Sequence, residues 1–80
     1  MAAIEAVVDE LHRRVTRHIR DIAKARRIPL SHLPDRASIS RSHFWEVMAG
    51  RKSPTLKWLG KVARKLNVDV SDLVEPRPKA

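Results

Sequence analysis

Cysteine and tyrosine are missing from this chain, glycine occurs twice, and Phe44, Trp45 and Trp58 are its only Phe, Trp or Tyr residues. Without cysteine neither disulfides nor thiolate metal sites can brace the fold, so apolar contact must hold it together. A chain of 80 residues buries only about 60 to 65% of its unfolded surface, which implies one domain of marginal stability that a partner subunit would help. No apolar run nears the roughly 18 residues that cross a bilayer. The opening Met1-Ala2-Ala3-Ile4-Glu5 lacks the basic start of a signal peptide, so a cytoplasmic protein without a membrane partner is expected. A glycine-rich phosphate loop, a nucleophile elbow and paired carboxylates in an apolar setting are also missing, so neither enzyme activity nor a cofactor is expected. His12, His18, His32 and His43 have no spacing that sets two ligands on one helical face, which argues against a metal site.

Positive charge is what the chain has in excess. Its 17 Lys and Arg against 9 Asp and Glu give +8, and the pI near 11.2 exceeds the value of about 9 that suggests a nucleic-acid-binding domain. The charge is unevenly spread. Residues 1–12 hold Glu5, Asp9 and Glu10 and no base, whereas seven bases face Asp21 over 13–27 and eight face Asp35 and Glu46 over 28–68. A field of this kind attracts polyanions without choosing among sequences.

Residues 2–27 contain neither Gly nor Pro, and Ile4, Val8, Leu11, Val15, Ile22 and Ala25 keep a helical register in which His18 fills the vacant place. This predicts one long amphipathic helix, with a break near Leu11–Arg14 as an alternative, ending before Pro29. Ser31 is the expected cap of a short second helix with Pro34 at its third position, followed by a turn at Ser38. A third helix follows, with Ser40 as N-cap, Phe44, Val47 and Met48 inward, and Gly50 as the left-handed stop. Its outward residues, Arg41, Ser42, Trp45 and Glu46, spend the first turn on hydrogen-bonding groups. After the basic loop Arg51-Lys52-Ser53-Pro54, Ser53 or Thr55 caps a fourth helix with Leu56, Leu59, Val62, Ala63 and Leu66 inside. Asn67 is its left-handed end. A last turn, Ser71–Val74 capped by Ser71, precedes a disordered tail at 75–80.

Five helices, two of them short and joined by a tight turn, describe a helix-turn-helix. The run from Val15 to Val74 resembles the lambda-repressor and Cro type of helix-turn-helix domain. Its inner Leu33, Ile39, Phe44 and Val47, the Gly50 stop, Pro54, and the fourth-helix stripe ending in Asn67-Val68-Asp69-Val70 carry that resemblance. The resemblance implies an all-α, five-helix domain over residues 15–74 and double-stranded DNA as partner, in a bacterial or phage setting. It implies base reading by Arg41, Ser42, His43 and Glu46, and phosphate contact by Arg51, Lys52 and Ser53. Leu30, Pro34 and Ser38 depart from the family, where a glutamine, a small residue and a glycine are usual.

Each of these side chains has a plainer reading. Arg41 can be a solvated charge, His43 a partly covered surface histidine, and Glu46 one half of an ion pair with Arg41 or Lys52. Trp45 and Trp58 lie beside the apolar stripes and mark either a contact surface or packing under the tail. Residues 1–14 extend beyond what the domain requires, yet they repeat Ile4, Val7, Val8 and Leu11, an apolar stripe that must be covered. Homodimerisation or a protein partner would cover it, and so would folding back onto the domain. The sequence therefore leads to a sequence-specific DNA-binding regulator, a repressor acting as a homodimer. The alternative is a protein-assembly adaptor that uses the same fold, the N-terminal helix, Trp45 and Trp58 to bind proteins. A basic helix lying on anionic lipid is weakened by the acidic first turns.

Overall fold

A computed structural model describes residues 2–76, with side chains from residue 6. The Ile4 side chain and residues 77–80 of the expected tail lie outside the described residues. Every regular element of the described residues is helical: α1 (Ala2–Ala25), a 3-10 turn (Leu30–His32), α2 (Leu33–Arg36), α3 (Arg41–Met48), α4 (Leu56–Leu66) and α5 (Val70–Val74). No helix among them is long and apolar enough to cross a membrane.

α1 runs unbroken through Leu11–Arg14. At 1.5 Å per residue its 24 residues span about 36 Å, which accounts for the 37 Å longest extent of the fold. Burial in α1 begins at His12. Val15, Ile19 and Ala23 are buried, whereas residues 6–11 are exposed, so the described extension does not fold back.

Four helices end in the same way. Arg27, Ser38, Gly50 and Asn67 take left-handed φ of 56°, 56°, 82° and 59°. After each, the next amide reaches back five residues: Ile28 N–H to Ala23 O (2.9 Å), Ile39 to Pro34 O (3.0 Å), Arg51 to Glu46 O (2.9 Å) and Val68 to Ala63 O (2.9 Å). These are Schellman closures, which satisfy carbonyls that a helix end leaves free. Three of the four are made without glycine.

Side chains cap the starts of α3 and α4. Ser40 Oγ accepts from His43 N–H (3.3 Å) and Thr55 Oγ1 from Trp58 N–H (3.0 Å), so Thr55 and not Ser53 caps α4. Two expected caps are corrected. Ser31 lies inside the 3-10 turn, and α2 starts at Leu33 with Pro34 second, where a missing N–H costs nothing. α5 starts one residue early, with Asp69 at the N-cap, because the Asp72 carboxylate reaches back to the Asp69 N–H (2.9 Å).

Phe44, Val47, Met48, Leu33, Leu66 and Leu73 meet α1 in one core. In α4 the inner stripe is shifted from its expected position: Leu56 is 81% exposed and Trp58 only 5%. Leu56 is the first residue of the helix and stands in solvent. Trp58 falls on the arc of Leu59, Val62 and Leu66 and reaches Phe44, whose ring stacks on it at 6.1 Å and 29°. An indole buries roughly 150 to 250 Å², more than leucine offers. Trp58 is therefore a core residue and not the contact residue expected from its spacing.

α1 also supplies polar ties that the spacing of apolar residues does not reveal. His12 Nε2–H donates to Val47 O (2.8 Å) and Arg20 Nη2 to Met48 O (3.4 Å), at the end of α3. His18 Nδ1–H donates to Leu73 O (3.0 Å) and Arg14 Nη1 to Val74 O (3.2 Å), at the end of α5. All four acceptors are carbonyls in the last turn of a helix, where donors and positive charge are favoured.

Candidate nucleic-acid interface

α2 and α3 are joined by Ala37–Ser40, a turn made possible by the left-handed Ser38 and pinned by Ile39, which is half-buried. The core roots α3 through Phe44, Val47 and Met48, leaving the opposite side of the helix in solvent. Arg41 and Ser42 are exposed, Trp45 is 42% exposed with its ring edge-to-face on Phe44, and Glu46 is half-covered. His43 is half-covered as well, its ring 6.4 Å from that of Trp58 in a T-shaped contact. The four expected base readers thus stand on one short helix, with Arg41 and Ser42 the most accessible and His43 turned toward α4.

The charged members of this face are paired within the chain. Arg41 Nε donates to Asp35 Oδ1 (3.0 Å) and Arg41 Nη2 to Asp35 Oδ2, a two-pronged contact between the first residue of α3 and the end of α2. Those hydrogen bonds hold the Asp35 carboxyl below its ordinary range and push the Arg41 guanidinium higher still. Glu46 meets Arg51, with Nε to Oε2 at 2.7 Å. The bond from Arg51, and behind it the charges of Arg51, Lys52 and His43, hold its carboxyl low. Of the ion pairs foreseen for Glu46, neither Arg41 nor Lys52 is its partner. Arg51 takes that place because the loop curls back over the end of α3, with the Arg51 and Lys52 amides both donating to Glu46 O (2.9 and 3.2 Å). Lys52 and Ser53 remain exposed beside it.

A shallow groove separates the N-terminal ends of α3 and α4, with Ser38, Ser40, His43, Thr55, Lys57 and Lys61 on its walls. Lys57 and Lys61 give this groove a basic wall. Both had the signal of a solvated face at i, i+4, but spacing along one helix cannot say which neighbour that face adjoins. Counted together, Arg41, Arg51, Lys52, Lys57 and Lys61 oppose Asp35 and Glu46, so the region is net positive although its two acids are individually neutralised.

The residues expected to meet a partner do not form one surface. Val7, Val8 and Leu11 are 64%, 51% and 40% exposed on the projecting part of α1, while Trp58 lies in the core. Arg14 holds the end of α5 and lies 3.8 Å from Glu10. Comparison with family models, with curated proteins and with solved structures finds no match to this chain.

Proposed function

We propose that this protein is a lambda-repressor/Cro-like helix-turn-helix regulator of transcription, a binding protein and not an enzyme. In this reading it acts at the bacterial or phage nucleoid as a homodimer that represses by occlusion. One observation carries the reading: a rigidly rooted eight-residue helix, reached through a tight turn, presents Arg41 and Ser42 to solvent beside a basic edge. A helix of this kind fits the major groove, where Arg41 can donate to guanine, Ser42 can serve any base and Glu46 can accept from cytosine. In this reading Lys52, Lys57 and Lys61 meet phosphates, joined by Arg51 when it leaves Glu46. Val7, Val8 and Leu11 supply the dimer contact, and two copies would address half-sites about 34 Å apart.

Selection from random duplex DNA, followed by sequencing, tests this. A two-fold repeat should be enriched, and Arg41→Ala should lower affinity for it by about 5- to 150-fold. Enrichment of no motif, or an Arg41→Ala titration that matches the parent, would refute it. The exposed apolar patch, and the pairing of Arg41 and Arg51 with Asp35 and Glu46, favour one second reading, a protein-assembly adaptor, which salt-sensitive binding with no motif would support. Sedimentation of Val8→Asp separates the dimer contact from the DNA surface: a monomer is expected, and an unchanged mass would move the contact elsewhere.

A further inference from the structure

The contact between Asp35 and Arg41 occupies one edge of the guanidinium and leaves another free. A guanidinium carries five N–H groups. Here Nε–H and one Nη2–H are spent on the two carboxylate oxygens, so both Nη1 hydrogens and the second Nη2 hydrogen remain. The Nη1/Nη2 edge offers two parallel donors, the pattern that matches O6 and N7 of guanine. Both side chains are open to an incoming ligand, Arg41 at 70% exposure and Asp35 at 57%.

We infer that Asp35 is a specificity-determining positioning residue, whose carboxylate holds the Nε/Nη2 edge of Arg41 so that the Nη1/Nη2 edge meets a guanine in the major groove. The inference rests on the DNA-reading proposal and adds to it a base identity and a residue on a helix that need not touch the base. Three physical points support it. The carboxylate lies across the turn from the reading helix, fixing the guanidinium plane relative to the protein's own frame. An arginine already held on one edge has surrendered rotamer freedom before the base arrives. Finally, the pair is neutral as a unit, so Arg41 contributes to base choice more than to general attraction for phosphate, which is left to the lysines.

The test uses the full chain with Asp35→Ala, Asp35→Asn and Arg41→Lys, each titrated on the selected site, on the same site with one guanine changed, and on unrelated duplex. Expected for both Asp35 variants is a loss of roughly 5- to 50-fold in discrimination at that single base pair. Affinity for unrelated duplex should hold or rise, since a negative charge has gone. Arg41→Lys should lose the same discrimination, and Asp35→Ala added to it should cause no further loss. If Asp35→Ala instead strengthens binding to every sequence alike, the carboxylate merely restrains Arg41 and the inference is overturned. An unaltered preference at that base pair overturns it too. Those results leave the regulator reading intact, whereas failure of the parent chain to enrich any motif removes both. Circular dichroism of each variant confirms that the helices are retained.

Discussion

Replacing Ser38 with glycine should make the protein more stable, although it deletes atoms and adds no contact. Ser38 sits at φ 56°, where a Cβ crowds the following carbonyl at a cost of about 1 to 2 kcal/mol. Its side chain is exposed, so glycine removes no buried surface. Against this stands the added freedom of glycine in the unfolded chain, roughly 0.4 to 1 kcal/mol. The difference leaves about 0.5 to 1 kcal/mol of net stabilisation. An unfolding entropy near 2.1 cal/mol/K per residue over 80 residues converts this to a rise in Tm of about 3 to 6 °C. Reversible thermal unfolding followed by circular dichroism at 222 nm measures it. Gly50→Ala is the mirror control: a Cβ there would meet nothing within 4 Å, so only its φ of 82° opposes it. A loss of about 1 kcal/mol is expected. If Ser38→Gly leaves Tm unchanged or lowers it while Gly50→Ala destabilises, the turn draws support from the serine and the strain argument fails.

Further outcomes follow from other parts of the fold. His18→Leu keeps the volume but leaves Leu73 O without its buried donor, and urea unfolding should register a loss of about 1 to 3 kcal/mol. Asp35 and Glu46 have carboxyls held low in the folded state, so the stability they add is present above about pH 4 and fades as pH falls through their folded values. Asp35→Asn should therefore differ from the parent near neutral pH and approach it in acid; a gap that does not narrow as pH falls below about 4 would deny the linkage. For the DNA complex, Lys57→Ala should make the slope of log K against log salt shallower by about 0.9. An unchanged slope would place Lys57 away from phosphate.

What local sequence could and could not reveal divides along a physical line. Helix ends are local chemistry, so Ser40, Gly50 and Asn67 declared themselves, as did the inward triplet Phe44, Val47 and Met48. Choosing between Leu56 and Trp58 for the core depended on what lay beneath the first turn of α4, which spacing along that helix does not contain. The same limit hid the ties from α1 to α3 and α5, because His12 meets Val47 O across 35 positions and Arg14 meets Val74 O across 60. Among the residues expected to read bases, Arg41 and Ser42 are exposed as the pattern implied. The partnership of Arg41 with Asp35 needed the turn at Ser38 to be folded before the two could meet.

The ties from His12 and Arg20 have a mechanical meaning. They clamp the rear of α3 to the longest rigid rod in the molecule, while the front is tethered through the Ser40 cap and the Asp35–Arg41 contact. Angular play should be greatest at the front, and amide exchange would open there before it opens at Val47. In an assembly of two copies joined through the projecting rods, the separation and tilt of the two clamped rear ends would be inherited from those rods.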